Sequence, residues 1–416
     1  MVDHLFRHQY GKMVAILTNF FGLAHLELIE DAVQDTFIKA ALKWRQQQPD
    51  QPEAWLMKAA KNRTIDLLRQ IKSEKERHLK INSGPASIPL QDIFMDHEVQ
   101  DSQLRMIFVA CHPALSREEQ IAFALKTISG FSMKEIATAL LKKDETIKKR
   151  LIRARKKIID RNLTLSYPEP HEIESRMAGV LQIIYLIFNE GFHSAKADAL
   201  ISKDLCGESI RLCKLLLQKE NFRQGSLYAL FALLCFHSAR LDSKINHNNE
   251  IVDLEHQDRS KWYLPLIVLG NNSYQKSNEF EDWSVYHFEA AIAAEHVRAI
   301  SFKNTDWQRI LELYEQFYSY SPADQILLSM AAIHLQIGEL DMAKQKLDQI
   351  DGKQLGQRLY LLYGAYGAYG DYYYKSKNLA KALAKIDLAI QHCSNNLEKQ
   401  YLANKRNIWI SKANKG

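Results

Sequence analysis

Residues 132–158, SMKEIATALLKKDETIKKRLIRARKKI, place two helical patterns on either side of a short turn. Ser132 stands three residues before Glu135, which is the spacing of a capping box at the start of a short helix. Beyond the turn LKKD, apolar residues return at intervals of four, three and four, so the second helix should bury one continuous stripe. The members of that stripe are Ile147, Leu151, Ala154 and Ile158.

A short helix, a tight turn and a longer basic helix together predict a helix-turn-helix unit, in which the second helix enters the major groove of DNA. Polar and basic side chains cover the faces that the apolar stripe leaves free. An ordinary helical hairpin with a solvated basic face fits the same pattern, and charge alone does not separate the two. The candidate DNA contacts in this segment are Lys142, Lys143, Thr146, Lys148, Lys149, Arg150, Arg153 and Arg155.

The composition indicates an all-α protein of several domains. A length of 416 residues with 46% hydrophobic content is ample for more than one hydrophobic core. Only 16 Gly and 9 Pro argue against a β-rich or linker-dominated chain, and a period of about 3.6 residues recurs almost throughout. The net charge of +6 is modest for this length, so the placement of the basic residues matters more than their sum.

Several classes of protein are disfavoured by what the sequence lacks. No apolar run approaches the roughly 20 residues needed to cross a bilayer, and the N-terminus lacks the apolar region of a secretory signal. The five cysteines form no CxxC pair and no His/Cys ligand spacing, which fits buried thiols in a reducing compartment and argues against structural zinc. We therefore expect a cytoplasmic protein with no membrane partner, no metal and no cofactor. The sequence contains neither a nucleophile–base pair nor a phosphate-binding glycine loop, so we do not expect an enzyme.

The helix-turn-helix segment resembles the C-terminal DNA-binding region of extracytoplasmic-function (ECF) σ factors. The usual family form is an EIA helix, a turn and a TVK-R-L-RA-KK helix; here EIA stands at 135–137 and the second helix opens with Thr146. Leu141 departs from that form, because many members carry the turn glycine there. The resemblance implies that this module reads the upstream promoter element. The residues that it places nearest the DNA are Lys148, Lys149, Arg150 and Arg153.

An N-terminal stretch resembles region 2 of the same family. LIEDAVQDTFIKAALKW, at 28–44, is similar to the σ helix that binds the clamp of polymerase, where the family carries an acidic pair around a Gln and a Phe. Asp31 and Asp35 lie one helical turn apart, so both carboxylates face the same way. An ordinary acidic helix surface is the alternative, which this stretch taken alone favours. The residues at the family's positions are Asp31, Gln34, Asp35 and Phe37.

The next stretch, PEAWLMKAAKNRTIDLLRQ at 52–70, resembles the σ helix that faces the downstream promoter element and the separated non-template strand. Capture of a single strand combines a basic groove with a stacking pocket. Basic side chains in this stretch would bind the phosphates of the strand, and amide side chains would hold an unstacked base. Trp44, just upstream, is either a base-stacking residue or part of the core, and the core is favoured. The candidate contacts are Lys58, Lys61, Asn62, Arg63 and Arg69.

The C-terminal half resembles the extension of one ECF group, which carries a fused helical and tetratricopeptide-like (TPR-like) domain. The matching segments are YLIFNEGF, HQDRSKW, AAIAAEH and TDW, at 185–192, 256–262, 290–296 and 305–307. The repeats that follow are degenerate, so an irregular bundle is the alternative to a repeat array whose concave face holds a peptide or a partner helix. Polar residues in these apolar segments mark a candidate ligand site, although caps and buried polar contacts are the simpler explanation. Its members are Glu190, His193, Asp258 and Arg259.

The predicted organisation is therefore a series of helical parts. Its boundaries are 1–75 for a region 2-like domain, 76–100 for a linker, 101–163 for a region 4-like helix-turn-helix domain, 164–174 for a second linker, 175–300 for the family-specific extension and 301–416 for the TPR-like repeats. We expect a σ factor that binds promoter DNA and core RNA polymerase, at the clamp of its largest subunit and the flap of its second, with the C-terminal half regulating it. The alternative is a helix-turn-helix regulator with a ligand- or peptide-binding scaffold, which would bind duplex DNA without polymerase.

Overall fold

The described part of the chain is mainly helical, and an isolated bridge between Ile245 and Ile251 is the only extended pairing found there. This confirms the prediction of an all-α fold. The residues that the computed structural model describes are 2–44, 48–76, 96–140, 142–192, 203–246, 250–350, 359–393 and 395–414. The chain forms two compact units, one of residues 1–188 with 207–222 and the other of residues 189–206 with 223–416.

The first unit holds both modules that the sequence predicts. Its helices are α1 (Val2–Phe21), α2 (Leu26–Lys43), α3 (Pro52–Glu76), α4 (Asp96–Ala110), α5 (Arg117–Thr127), α6 (Met133–Ala139) and α7 (Asp144–Asp160). It also contains most of α8 (Pro170–Phe192) and of α9 (Lys203–Gln218), whose remaining residues belong to the second unit. Helix α2 packs on α1 and α3, and α5 packs on α6 and α7. Since α1 also packs on α4 and α5, the two modules are in contact.

The two modules approach closely where α1 meets the end of α5. A Cβ atom added at Gly11 would lie 1.9 Å from the carbonyl oxygen of Ile128, so only glycine permits this separation. Gly130 has a φ of +67° and lies against the ring of Tyr10, a backbone conformation that glycine adopts at little cost. These two glycines determine how near α1 comes to the segment that leads into α6.

A segment from far along the chain completes the core of the first unit. The ring of Phe222 lies 4.9 Å from that of Phe108 and 5.8 Å from that of Tyr167. Asp101 accepts hydrogen bonds from the Tyr167 hydroxyl at 2.7 Å and from the Lys219 ammonium at 2.9 Å. Residues that the sequence assigns to the extension and to its linker therefore pack on α4, the first helix of the region 4-like module.

From residue 223 onward the second unit consists of a buried helix followed by helices that pack in chain order. Its helices are α10 (Gly225–Ala239), α11 (Leu264–Ser277), α12 (Val285–Arg298), α13 (Trp307–Tyr320), α14 (Asp324–Ile337), α15 (Leu340–Asp348), α16 (Leu359–Lys375), α17 (Leu379–His392) and α18 (Asn396–Ala413). Helix α10 is apolar on all sides, and it packs on both α11 and α12, as a helix hydrophobic all round must. From α12 to α18 each helix packs on the next one or two along the chain.

Two tyrosines of α16, Tyr369 and Tyr374, contact neighbouring helices. Tyr374 stacks on Trp409 of α18 with ring centroids 4.8 Å apart. The Tyr369 hydroxyl donates to the carbonyl oxygen of Leu347 at 2.9 Å. These contacts give the two tyrosines a packing role, while the TPR-like character of the helices stays a prediction.

Candidate nucleic-acid interface

Helix α6 begins with the capping box that the sequence predicts. The Ser132 hydroxyl accepts a hydrogen bond from the Glu135 N–H at 3.2 Å, and the Glu135 carboxylate accepts one from the Ser132 N–H at 2.9 Å. Both backbone donors at the start of this helix are thereby satisfied. The prediction of a short helix ahead of α7 is confirmed; Leu141, in the turn between them, lies outside the described residues.

Helix α7 buries the predicted apolar stripe, and all four of its members are buried. The helix packs on α5 and α6, so its opposite side faces solvent. Asp144 and Glu145 fill the first turn, where the helix dipole favours negative charge. Lys149 lies 3.8 Å from Glu145 in an exposed pair that contributes little in water.

The outer face of α7 and the turn before it present most of the candidate DNA contacts to solvent. Those that are exposed are Lys142, Lys143, Lys148, Lys149 and Arg153, and those that are half-buried are Thr146 and Arg150. The face is therefore positively charged from Lys148 onward, on a helix that its buried side holds in place.

Arg155 is different, because its guanidinium lies against α2. It donates to the Glu27 carboxylate at 3.1 Å and to the Glu30 carboxylate. The side chain of Glu30 is 2% exposed and that of Arg155 is 19% exposed. Burial raises the pKa of Glu30 although the charge of Arg155 opposes the shift. Arg155 thus ties α7 to α2, and its contact with DNA stays a prediction.

Lys157 also turns toward the protein. Its ammonium donates to the Glu119 carboxylate at 2.7 Å, and the same carboxylate accepts from the Ser116 N–H at 2.7 Å. Burial acts to raise the pKa of Glu119, but these two hydrogen bonds and the charges of Lys157 and Arg153 together outweigh it, so the pKa is lowered. The inward side of α7 is therefore fixed by ion pairs at both Arg155 and Lys157.

Helix α2 exposes the acidic part of the predicted polymerase contact and buries the aromatic part. Asp31 is exposed, while Gln34 and Asp35 are half-buried. Burial, followed by the charge of Glu27, raises the pKa of Asp31. Phe37 is buried and lies edge-on to Phe6 with ring centroids 5.0 Å apart. A polar surface on α2 is thus available to a partner, with Phe37 in the core beneath it.

Helix α3 carries its candidate contacts on the outside and is tied to α2 by one of them. The Arg63 guanidinium donates to the Asp35 carboxylate at 2.9 Å. This pair joins a residue predicted to meet DNA with one predicted to meet polymerase. Lys58, Asn62 and Arg69 are exposed, and Lys61 and Arg63 are half-buried.

Trp44 belongs to the core. It is buried at the end of α2 and lies edge-on to Trp55, with ring centroids 5.4 Å apart. The favoured interpretation of this residue is confirmed.

Two of the four residues of the candidate ligand site, Asp258 and Arg259, make hydrogen bonds within the second unit, and the site itself stays a prediction. Asp258 is exposed and caps a short 3-10 turn, because its carboxylate accepts hydrogen bonds from the N–H and the hydroxyl of Ser260. The Arg259 guanidinium donates to the carbonyl oxygen of His296 at 2.6 Å. Glu190 is half-buried, and His193 lies outside the described residues. No sequence pattern points to two further cations of this region, the half-buried Arg240 and the buried Lys244.

The second unit also has a shallow cavity of about 230 Å³ at the end of α12. Its lining residues are Glu295, Arg298, Ala299, Ile300, Asn304 and Asp306. In the described part of the chain, no three His, Cys, Asp or Glu side chains come together as a metal site requires. None of the helices described above is long and apolar enough to cross a membrane.

Three protein families match successive parts of the chain. Residues 5–74 match the family described as Sigma-70 region 2, which here comprises α1 to α3. Residues 105–158 match Sigma-70, region 4, which includes the helix-turn-helix unit. Residues 176–278 match a family of unknown function, DUF6596, which extends from α8 to α11.

Two relatives match the chain over different lengths. An uncharacterized protein of Rhizobium meliloti is 32% identical over 311 residues, which are 74% of this chain and 73% of that protein. The ECF RNA polymerase sigma factor SigE of Mycolicibacterium smegmatis is 26% identical over 161 residues, 38% of this chain and 60% of that protein. No solved structure matches. With both σ regions in order and a helical extension after them, the chain belongs to the ECF σ factors that carry a C-terminal extension.

Proposed function

We propose that this σ factor directs core RNA polymerase to a defined set of promoters, with α7 at the upstream element and α3 at the downstream element. The observation that carries the proposal is the exposed face of α7. A helix that enters a groove needs one side held by its own domain and the other free for DNA, and Lys148, Lys149 and Arg153 occupy the free side. Contacts to phosphates would set the register, and contacts to base edges would give the specificity.

The polymerase-binding role falls to the polar surface of α2. Asp31, Gln34 and Asp35 lie on one side of this helix, where carboxylates suit a basic surface on the clamp of the largest subunit. Phe37, being buried, would support the shape of that surface from below. Region 4 would contact the flap of the second subunit, so that both modules sit on one polymerase in the cytoplasm.

The C-terminal half regulates the σ modules in this proposal. Support comes from Phe222 and Lys219, which lie in the matched extension and yet pack on α4 of the first unit. A change in the extension that moves these residues would alter the module that carries α7. The helices α13 to α18 would hold a peptide or protein partner that supplies the signal.

Run-off transcription with bacterial core polymerase tests the proposal, using the region upstream of this protein's own gene as the first template. The full chain should initiate, and the double variant K148A/K149A should give little transcript. K303A alters an exposed lysine of the second unit and should leave the yield unchanged. Binding of the duplex without polymerase, with no transcript across a library of upstream regions, would instead favour the helix-turn-helix regulator.

A truncation in the same assay measures the direction of regulation. A cut after Leu165 would remove Phe222 and Lys219 and so expose Phe108 of α4. A cut after Gln224 keeps these contacts and removes the rest of the second unit that follows. More transcript from this truncation means that the extension restrains the σ modules, and less means that it supports them. Unchanged transcript would contradict the regulatory role.

A further inference from the structure

The second unit contains three neighbouring cations: Lys244, which is buried, and Arg240 and Arg259, which are half-buried. Together with His296 they are called the cation cluster here. Within the described part of the chain, none of the three cations lies at ion-pair distance from a carboxylate; their partners are carbonyl oxygens and rings. Buried charges are usually paired, because an isolated one is costly to remove from water.

Arg259 and its neighbours come from the motif segments of the extension. The guanidinium donates to the carbonyl oxygens of His296 and Ala299, each at 2.6 Å, and to the Thr305 hydroxyl at 3.3 Å. Its central carbon lies 4.8 Å from the ring centroid of Trp262. Residues from HQDRSKW, AAIAAEH and TDW therefore meet at one place.

Lys244 and Arg240 meet on another motif residue, Phe192. The Lys244 ammonium donates to the carbonyl oxygen of Phe192 at 2.8 Å and lies 3.4 Å from the centroid of its ring. The Arg240 guanidinium lies 5.4 Å from the same ring, and one of its nitrogens is 3.5 Å from the His237 ring. Ring faces attract cations, but they do not neutralise them.

The electrostatics indicate an excess of positive charge. Burial, followed by the charge of Arg240, lowers the pKa of Lys244 to about 7, although Cys206 and Glu398 act in the other direction. Burial, followed by the charge of Arg259, lowers the pKa of Arg240 to about 10. Burial and both arginines lower the pKa of His296 to about 3. Arg259 thus disfavours the charge of Arg240, Arg240 disfavours that of Lys244, and both arginines disfavour that of His296.

The same region has hydrogen-bonding groups without partners. The indole N–H of Trp262 and Nδ1 of His296 are buried and have no hydrogen-bond partner among the described residues. Trp262 is 7% exposed, and its indole nitrogen can only donate. Lysine and arginine are also donors without acceptors. The cluster therefore lacks negatively charged acceptors.

We propose that the cation cluster binds an oxyanion of the phosphate class, with Arg240 and Lys244 as its charge partners and the Trp262 indole as a further donor. The guanidinium group suits phosphate because it presents parallel donors to two oxygens. An anion would satisfy the free donors and relieve the repulsion between the cations. This inference goes beyond the proposed function, since promoter recognition uses none of these residues.

Isothermal titration of the full chain with sodium phosphate tests the site, with sodium chloride at matched ionic strength as the control titrant. We expect saturable binding of phosphate and none of chloride. Lys244 would take up a proton on binding, so the heat should change between buffers of different ionisation enthalpy. The absence of a saturable phosphate response, or an equal response to chloride, would overturn the proposal.

Single-residue variants show which side chains are responsible for phosphate binding. K244M and R240M should each weaken phosphate binding at least tenfold, whereas K276M, at an exposed lysine of α11 in the same unit, should bind as the original chain does. Methionine removes the charge and keeps an unbranched side chain that fits irregular packing, and circular dichroism verifies the fold. If R240M unfolds, R240K keeps the charge but loses the planar fork, and it should also bind more weakly. Unchanged binding by K244M together with either arginine variant would refute the site.

The source of the phosphate group is a separate arm of the experiment. Glycerol phosphate and phosphoserine are titrated beside inorganic phosphate. Tighter binding of either ester assigns the site to a small phosphorylated molecule, and equal or weaker binding assigns it to free phosphate. Run-off transcription is unaffected by this outcome, so failure here leaves the σ function standing.

Discussion

The Arg155 guanidinium of α7 donates to the buried Glu30 carboxylate of α2, a residue 125 positions earlier in the chain. The pair is incompletely satisfied, because one oxygen of Glu30 and Nε of Arg155 have no hydrogen-bond partner in the described residues. A buried pair of this kind contributes little net stability, but loss of one partner leaves an uncompensated charge. The relationship joins the helix that carries the DNA-facing cations to the helix that carries the acidic polymerase contact.

Removal of Arg155 should therefore be costly. R155A is expected to lower the free energy of unfolding by about 3–5 kcal/mol at neutral pH, since the ionised Glu30 is left buried. Burial raises the pKa of Glu30, so acidification toward that pKa neutralises the stranded carboxyl and should reduce the cost. Urea denaturation at several pH values measures both effects. K156A, at the exposed neighbouring lysine, should stay within about 0.5 kcal/mol of the original chain; an equal loss in the two variants would contradict the role of the pair.

Substitution of alanine for two helical glycines, Gly11 and Gly207, should change the stability of the protein in opposite directions. G11A places a Cβ atom 1.9 Å from the Ile128 carbonyl oxygen, so α1 must move from α5 at a cost of about 1–3 kcal/mol. Gly207 in α9 has no atom within 4 Å of such a Cβ, so G207A should gain about 0.5–1 kcal/mol from helix propensity. Thermal unfolding of the two variants gives the comparison. A stabilised G11A would show that α1 and α5 do not approach so closely.

The salt dependence of promoter binding should separate the outer cations of α7 from the inward one. Each phosphate contact contributes a slope of about −0.9 to the plot of log affinity against log salt concentration. K149A should therefore flatten the slope of the holoenzyme by about one such contact, and R153A should do the same. R155A should leave the slope unchanged, because the Arg155 guanidinium is only 19% exposed and is engaged by Glu27 and Glu30. Lys149 and Arg153 also lie near carboxylates, but their side chains are 68% and 62% exposed. A flatter slope in R155A would mean instead that the ion pair opens on DNA.

The lowered pKa of Lys244 predicts that the stability of the protein rises with pH. Its folded pKa is lowered from 10.5 to about 7, so between these values the unfolded chain binds more protons than the folded one. Stability is then greatest above the unfolded pKa and is lost as the pH falls toward the folded pKa. One such group gives a slope of about 1.4 kcal/mol per pH unit within that window. Unfolding of the original chain and of K244M at pH 7.5 to 9 should differ by this slope, and parallel curves would exclude the shift.

Local patterns explain which parts of the site were predictable. The capping box at Ser132 and the stripe from Ile147 to Ile158 involve residues within one or two helical turns, so their spacing alone predicts them. The role of Arg155 depends on Glu30, and no periodicity links positions so far apart. Phe37 stands at a position typical of the family's polymerase contact, yet Phe6 covers it in the core. Such placements depend on tertiary packing.

The neighbouring cations of the second unit illustrate the same limit. A lysine or an arginine in a polar turn is ordinarily a surface residue, so Arg240 and Lys244 gave no local signal. Only the packing of α10 and of the turn after it brings them to Phe192. The motif HQDRSKW marks Arg259 as a candidate ligand-binding residue. The motif does not indicate its hydrogen bonds to carbonyl oxygens of α12 and of the residues that follow.

The contact between Phe222 and Phe108 has a consequence for biosynthesis. During translation α4 leaves the ribosome long before Phe222 has been synthesised. Until then Phe108 lacks its contact with the Phe222 ring. Domains generally fold as units once they are complete, so the σ part cannot reach its final packing until about half of the polypeptide has been made. The nascent protein is thus kept from maturing early as a transcription factor by the order in which its own residues are synthesised.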